Sequence, residues 1–236
     1  MSSDDIASAV ECDGFVSVQH AIELPIVASL ITAIETISPA THGMRNLFEH
    51  VPDVLGLVSN DAVSSLVSRV LGQDAFAVRA ILFDKIMGSN WHVGWHQDQA
   101  IAIRQRIDAP GFGPTSIKHG VPHARASRQV LEQMLAVRIH LDHCGPDNGP
   151  LRCVPGSHRL GRLDPRQTLE HKQRLGETTC TVAKGGLLLM RPLCLHASSP
   201  AKSPHHRRVI HIEFANCELP EPMQWHERHP IITGSV

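Results

Sequence analysis

The sequence of 236 residues contains no tyrosine and only 4% aromatic residues. It has no apolar run of about 18 residues, the length that a membrane-spanning helix requires. The N-terminus, residues 1–5, is acidic and lacks the basic-then-apolar order of a secretion signal. Because 22 lysines and arginines nearly balance 23 aspartates and glutamates, the overall charge argues against nucleic acid or an anionic membrane as a partner.

The six cysteines form no Cys-x-x-Cys pair; they are Cys12, Cys144, Cys153, Cys180, Cys194 and Cys217. This scatter argues against a zinc knuckle and against a disulfide framework, and it is typical of a reducing, cytoplasmic environment. The sequence also has no His-Glu-x-x-His motif, which argues against a zinc hydrolase.

Helical patterns come first along the chain, and strand patterns follow. Residues 1–20 are expected to be a flexible start. Helical spacing predicts helices over 21–37 and 61–71, and Asn60 and Gly72 are suited to cap the second one. Asp164-Pro165 and Gly176 bracket a further short helix. Strands are predicted over 75–83, 91–98, 135–141, 187–190, 193–198 and 207–214.

Two connecting segments have their own signals. Residues 104–127 are rich in Gly, Pro, Arg and His without periodicity, and they predict a long loop. Its basic residues make it a candidate substrate lid, with a plain solvated loop as the alternative; they are Arg104, Arg106, Lys118, His119, His123 and Arg125. Asp147-Asn148-Gly149 predicts a hairpin turn.

These patterns predict an α+β, mainly β fold with a sandwich or barrel at its centre. We expect one domain over 1–236. Its parts are a helical region (1–74), a β core (75–216) that carries the loop 104–127, and a Pro-rich tail (217–236).

Seventeen histidines make a metal site worth testing, but composition alone does not place one. A non-haem Fe(II) oxygenase site needs two histidines and one carboxylate, and His-x-Asp on a strand places two ligands on one face. At this histidine content the triplet is expected about once by chance, and it occurs twice, at 96–98 and 140–142, beside His211-Ile212-Glu213. Any one of them could be an ordinary surface or hydrogen-bonded histidine. The first lies at a strand end beside the long loop, and the second lies on an alternating strand with Arg138.

The second half of the chain supplies further polar positions. Alternation places His196 and Ser198 on one strand face. In the last strand the row 210, 212, 214 is apolar, whereas Arg207, His211 and Glu213 share the opposite row. A guanidinium facing a pocket is suited to bind a carboxylate through two hydrogen bonds. Arg208 shares the apolar row, so Arg207 is the preferred candidate, with a surface ion pair as the alternative.

Over residues 80–215, this ordered set resembles the phytanoyl-CoA dioxygenase family of Fe(II)/2-oxoglutarate oxygenases. The matching elements are Phe83-Asp84-Lys85, Trp95-His96-Gln97-Asp98, Asp147-Asn148-Gly149-Pro150-Leu151, Pro155-Gly156-Ser157-His158, His196-Ala197-Ser198 and residues 207–214. The resemblance implies a double-stranded β-helix of the jelly-roll or cupin-like kind, with N-terminal helices packed on the outer sheet.

The same resemblance implies a set of site residues. His96, Asp98 and His196 are the implied iron ligands and catalytic centre. Arg207 is implied to pair with the far carboxylate of 2-oxoglutarate, helped by Ser198. Lys85 falls where the family often contacts cosubstrate or substrate.

Arg138 stands where some members of the family have tryptophan, which makes it a candidate contact to 2-oxoglutarate or substrate. His140 and His211 are expected to face the same pocket in a structural or substrate-binding role.

The implied activity uses Fe(II), 2-oxoglutarate and O2 to hydroxylate or otherwise oxidise a C–H bond of a small molecule, with release of succinate and CO2. Some relatives are halogenases, in which a small residue replaces the carboxylate ligand, and Asp98 argues for hydroxylation here. A CoA thioester would need a strong cationic patch, so a smaller substrate is favoured. The alternative is a non-catalytic metal-binding or sensor protein that keeps the barrel.

Overall fold

The structure is a computed structural model, and it describes residues 2–37, 43–86, 89–202 and 206–232. The helices of this part of the chain are α1 (Ser3–Asp13), α2 (Leu24–Ile37), α3 (Leu47–His50), α4 (Leu55–Val58), α5 (Asp61–Leu71), α6 (Arg128–Glu132) and α7 (Pro165–Leu175). Short 3-10 turns cover Pro52–Val54 and Ser157–Leu160.

The strands are β1 (Phe15–Val18), β2 (Gly43–Met44), β3 (Phe76–Asp84), β4 (Val93–His96), β5 (Ala100–Ala102), β6 (Thr115–Lys118), β7 (Val121–Arg125), β8 (Met134–His140), β9 (Leu151–Cys153), β10 (Thr178–Cys180), β11 (Leu187–Met190), β12 (His196–Ser198), β13 (Arg208–Ala215) and β14 (His229–Pro230). All the strand regions predicted over 75–214 contain an observed strand, with boundaries shifted by a few residues.

The strands form a large sheet and two smaller ones, all with antiparallel pairing. The large sheet has the order β1-β11-β8-β13-β3-β14, with β2 on β3, and a four-stranded sheet has the order β10-β9-β12-β4. A third sheet contains β5, β7 and β6. This arrangement of sheets with N-terminal helices is the double-stranded β-helix, as the resemblance implied.

The centre of the large sheet separates an apolar side from a polar side. On β13, Ile210, Ile212 and Phe214 join the cluster formed by the N-terminal helices. The intervening residues His211 and Glu213 face the other way and line a cavity. The two faces of the predicted last strand are therefore confirmed.

The N-terminal segment is ordered, and the expectation of a flexible start was wrong. Helix α1 begins with a capping box in which Ser2 and Asp5 bond each other's backbone N–H groups. It ends at Gly14, whose positive φ closes the helix. Ile6 and Val10 are buried against the core, and β1 then pairs with β11. These long-range contacts stabilise a segment that has little hydrophobic periodicity of its own.

Two further expectations need correction. The segment 104–127 is not wholly a loop, because β6 and β7 form a hairpin that β5 extends. The turn at 147–149 does not close a hairpin. It connects β8 to β9, and those strands lie in different sheets. Local turn chemistry was correctly recognised there, but it carries no information about which strands pair.

Within the described residues, no single helix is long and apolar enough to cross a membrane. A bent pair of helical segments, Pro52–Val58 with Asp61–Leu71, meets the length and composition criteria together.

The buried row of β13 gives a test of the core. Phe214→Ala removes a ring with no exposed surface, and we expect it to lower the free energy of unfolding by about 3–5 kcal/mol. Leu169→Ala on α7 is the control: this side chain is 59% exposed, so the change should stay within about 0.5 kcal/mol. Urea unfolding followed by circular dichroism measures both, and an equal loss in the two variants would contradict the assigned core.

Candidate metal centre

Two strands of the four-stranded sheet bring the predicted ligand residues together. His96 on β4 lies directly opposite His196 on β12 in the antiparallel register, with ring centroids 4.2 Å apart. Asp98 follows two residues after His96, and its backbone N–H donates to the carbonyl of Pro192. Each residue offers one ligand atom, and the three atoms lie within 4.8 Å of one another.

The orientation of both imidazoles is set by backbone carbonyls. Nδ1 of His96 lies 2.9 Å from the carbonyl oxygen of Gly94, and Nδ1 of His196 lies 2.9 Å from that of Cys194. Because a carbonyl oxygen only accepts, Nδ1 carries the proton and Nε2 keeps its lone pair. Each Nε2 is 3.7 Å from a carboxylate oxygen of Asp98.

The protonation states suit cation binding. Burial lowers the pKa of His196 to about 4, so its imidazole is neutral at pH 7. For Asp98, burial alone would raise the pKa, but His196, His211 and His96 outweigh it and lower the pKa to about 2. Two imidazoles and one carboxylate are the ligand set of non-haem Fe(II) centres.

Gln97 holds the His-x-Asp segment in place, a role that was not predicted from the sequence. Its side-chain amide donates to the carbonyls of Gly161, at 2.7 Å, and Leu193, at 2.8 Å. Its Oε1 accepts from the backbone N–H of Leu163 at 2.9 Å. A buried residue between two ligands thus fixes the backbone that carries both. The signal in the sequence is a polar residue on the strand face opposite the ligands.

The residues of the second His-x-Asp triplet, at 140–142, have different contacts from those of the first. Asp142 accepts hydrogen bonds from the backbone and guanidinium of Arg208, so it forms a structural ion pair. His140 is buried, and neither ring nitrogen has a hydrogen-bond partner among the described residues. Burial lowers the pKa of His140 well below its ordinary value, and nearby Arg138 and Arg207 lower it further. His140 and Asp142 therefore do not assemble a second ligand set.

The candidate ligands open onto a cavity of about 350 Å³ between the two larger sheets. Within the described part of the chain, its wall contains five cationic and two acidic side chains: Arg45, Arg79, Lys118, Arg138, Arg207, Asp98 and Glu213. A chain with an overall charge of −1 thus concentrates positive charge at one place. Neither Arg45 nor Arg79 was predicted from the sequence, although Arg79 interrupts an otherwise apolar strand.

Arg207 is buried on the cavity wall, as predicted from the alternation of the last strand. Its Nη1 donates to the carbonyl of Gly149, and its backbone N–H donates to Asp84. Gly149 has a positive φ, and a Cβ there would come within 2.7 Å of the carbonyl oxygen of Ser199. Nε of Arg207 has no partner among the described residues. Arg208 instead pairs with Asp142 and Glu35 on the opposite side of the strand.

Ser198 and Lys85 lie next to each other at this side of the cavity. Nζ of Lys85 donates to Oγ of Ser198, at 3.1 Å, and to the carbonyl of Ser199, at 2.6 Å. Ser198 lines the cavity, whereas Lys85 is fully buried behind it. Burial, with a contribution from Arg207, lowers the pKa of Lys85 to about 8.

Arg138 belongs to a polar network along the cavity wall. Its Nη1 donates to Nδ1 of His211 at 3.0 Å, so Nε2 of His211 carries the proton and lies 3.3 Å from Glu213. Glu213 also forms an ion pair with Arg79. The network crosses three strands, because His211 is opposite Arg138 and Glu213 is opposite Arg79 in the register.

A β-helix with two histidines and a carboxylate opening onto its cavity defines a protein of the non-haem iron class. The family model of phytanoyl-CoA dioxygenase matches residues 11–209. The chain therefore belongs to the phytanoyl-CoA dioxygenase family of Fe(II)/2-oxoglutarate-dependent oxygenases. No protein of curated function matches the sequence.

Solved structures share the fold at low sequence identity. EctD from S. alaskensis, determined with 2-oxoglutarate and 5-hydroxyectoine, is 18% identical with a TM-score of 0.70, over 91% of this chain and 76% of its own. The carbocyclase SnoK from nogalamycin biosynthesis is 13% identical (TM-score 0.70), over 92% of this chain and 87% of its own. The epimerase SnoN, in complex with Fe3+, alpha ketoglutarate and nogalamycin RO, is 13% identical (TM-score 0.70), over 98% and 96%.

The anchoring role of Gln97 gives a prediction. Gln97→Leu removes the hydrogen bonds that hold the ligand segment, so we expect Fe(II) affinity to fall roughly 10- to 100-fold. Gln19→Leu is the matched control, because Gln19 also bridges two backbone groups, those of Thr181 and Ala183, but lies far along the chain from the ligands. Competition with a metal-binding dye measures the affinity. Equal Fe(II) affinity in the two folded variants would refute the role of Gln97.

Proposed function

We propose that this protein is an Fe(II)- and 2-oxoglutarate-dependent dioxygenase that hydroxylates a C–H bond of a small molecule. Fe(II) is held by His96, Asp98 and His196, and 2-oxoglutarate binds toward Arg207. When bound, the metal and cosubstrate supply the oxidation with O2, with succinate and CO2 as coproducts.

One observation carries the cosubstrate assignment: two arginines are buried on the cavity wall without a carboxylate partner. Arg138 and Arg207 form no ion pair with any described residue, and Nε of each has no hydrogen-bond partner. Burial lowers the pKa of both, to about 10 for Arg138, which reflects the cost of removing these charges from water. A dianion with two carboxylates offsets this cost.

The residues around these arginines have positioning roles in this proposal. The Arg207 guanidinium, fixed by Gly149, pairs with the far carboxylate, and Ser198 donates its hydroxyl while Lys85 donates to Ser198 from behind. Arg138, fixed by His211, contributes positive charge nearer the middle of the wall. The apolar wall residues Ile81 and Phe83 exclude water.

Hydroxylation is the favoured outcome because the carboxylate ligand is present. Asp98 occupies one metal position, and no small residue stands there to make room for a halide. Epimerisation and carbocyclisation are the activities named for SnoN and SnoK, and they remain the alternatives within the family. A non-catalytic metal-binding protein is the alternative outside it, and the intact ligand set with Arg207 argues against it.

We propose small-molecule substrates and a cytoplasmic location for this activity. The cavity of about 350 Å³ is of the size that small ligands occupy. All six cysteines are free thiols in the structure, which is typical of a reducing compartment.

An anaerobic titration tests the function. Metal-free protein receives Fe(II) and then 2-oxoglutarate, and we expect a weak visible charge-transfer band that needs both. Arg207→Gln should weaken 2-oxoglutarate binding at least about tenfold, because a buried charge-assisted contact is lost. Arg208→Gln is the control, since Arg208 faces Asp142 and Glu35, and it should cost stability without changing this binding.

Succinate and the substrate product are then measured under air. If the charge-transfer band forms but no small molecule tested leads to succinate, the result favours the non-catalytic metal-binding alternative. No band with folded protein and stoichiometric iron would overturn the cosubstrate assignment.

The buried Lys85 predicts a pH dependence. Because its pKa is lowered to about 8, its positive charge is present below pH 8 and is lost as the pH rises through that value. The dissociation constant of 2-oxoglutarate should therefore increase above pH 8. Lys85→Met has a side chain of similar length without the charge. This variant should bind 2-oxoglutarate more weakly at pH 7, and its dissociation constant should not increase further above pH 8. If the dissociation constant of Lys85→Met still increases above pH 8, the pH dependence belongs to another group.

A further inference from the structure

The cavity contains a second cationic group that neither the metal ligands nor the proposed 2-oxoglutarate contacts use. It consists of Arg45, Arg79 and Lys118, all on the cavity wall. They come from three separate elements: Arg45 directly follows β2, Arg79 lies on β3 and Lys118 ends β6. We refer to these three residues as the outer cationic group.

The outer cationic group lies at the opposite end of the cavity wall from Arg207. Arg79 is opposite Glu213 in the register of β3 and β13, whereas Arg207 directly precedes β13. Position 213 lies six positions after 207, which is a distance of about 20 Å along an extended backbone. A molecule of the size of 2-oxoglutarate at Arg207 does not reach both ends.

Two members of this group lack an anionic partner. The side chains of Arg45 and Lys118 form no hydrogen bond or ion pair with the described residues, although each is partly buried. Burial and the neighbouring Arg79 lower the pKa of both side chains, and together they outweigh the opposite effect of Glu213 on both and of Asp98 on Lys118. Three cationic side chains thus lie close together on the cavity wall, and among the described residues no carboxylate forms an ion pair with Arg45 or Lys118.

The two acidic residues of the cavity wall, Glu213 and Asp98, contact other side chains than Arg45 and Lys118. Glu213 accepts from both Arg79 and His211, and its remaining carboxylate oxygen has no partner. Asp98 lies between the two candidate histidine ligands. Arg45, Arg79 and Lys118 outnumber Glu213 by two, and Asp98, whose charge also acts on Lys118, is one of the candidate metal ligands.

We propose that the substrate of this enzyme carries an oxyanion, a carboxylate or a phosphate, which binds between Arg45 and Lys118. The proposal rests on the function proposed above, since it assigns the inner end of the cavity to 2-oxoglutarate. Arg79 holds Glu213 and the wall in place and adds to the positive field. The bond to be oxidised then lies between the anchored oxyanion and the metal ligands. Of the predicted lid segment, Lys118 lines the cavity. The buried His123 lies near the same cations, because Arg79, Lys118 and Arg45 add to the effect of burial in lowering its pKa.

The test is calorimetric titration of the anaerobic Fe(II) protein, with 2-oxoglutarate at saturation so that the inner end is occupied. The probes are acetate, for a carboxylate, and methylphosphonate, for a tetrahedral phosphate-like group. We expect one probe to bind, and binding to weaken at least tenfold in Arg45→Gln and in Lys118→Gln. The probe that binds more tightly identifies the oxyanion class.

Surface variants serve as matched controls. Arg69→Gln removes an exposed arginine paired with Asp4, and Lys184→Gln removes an exposed lysine. Both should bind the probes as the parent protein does. The charge-transfer band with 2-oxoglutarate should be intact in all four variants, which shows that they fold and keep the inner site.

The outcomes separate this proposal from the proposed function. Binding of neither probe to the parent protein overturns the oxyanion site, and so does equal binding by Arg45→Gln, Lys118→Gln and the controls. Absence of the charge-transfer band in the parent protein, with probe binding that still depends on Arg45 and Lys118, overturns the cosubstrate assignment and supports the anion site.

Discussion

Strand β13 is buried along its whole length, and its two faces meet opposite environments. One row packs against the N-terminal helices, and the other carries His211 and Glu213 on the cavity wall. A register shift of one residue would exchange the rows, which would place charges in the core and apolar groups in the cavity. The hydrophobic packing of Ile210, Ile212 and Phe214 therefore determines where the polar side chains of the cavity point.

The cavity concentrates charges that are costly to remove from water. The protein offsets part of this cost through the chain Arg138–His211–Glu213–Arg79, in which each side chain contacts the next. The side chains of Arg207, Arg45 and Lys118 form no ion pair with a carboxylate among the described residues. Unpaired buried charge disfavours the folded state, and an anion that binds there stabilises it by linkage. The cationic side chains that are available to bind an anion are thus the ones that contribute least to the stability of the unliganded fold.

Much of the candidate site could be predicted because strand alternation is a local property. The spacing of His96 and Asp98, and the row that contains Arg207 and His211, follow from a period of two residues. Pairing between strands is not local. That His96 lies opposite His196, and that Arg79 lies opposite Glu213, depends on sheet order, which no short segment encodes. Gln97 was missed for the same reason, since its partners Gly161 and Leu193 are distant in sequence.

The errors of fold prediction have related physical causes. The hairpin of β6 and β7 lacks apolar alternation, and its pairing with β5 provides the order that the sequence pattern does not show. Helix α1 has a readable N-terminal signal, the capping box of Ser2 and Asp5, but only two of its residues are buried. Its position is fixed by packing against α5 and by the strand that follows.

The pairing of β1 with β11 has a consequence for the integrity of the large sheet. Strand β11 consists of Leu187, Leu188, Leu189 and Met190, all buried, and β1 covers the side that does not pair with β8. Without residues 15–18, this apolar strand would present unpaired backbone groups at a sheet edge, which is the geometry that templates intermolecular β-sheet. Strand β1 forms this edge of the large sheet in its place, so the apolar strand β11 lies inside the sheet with a paired strand on each side.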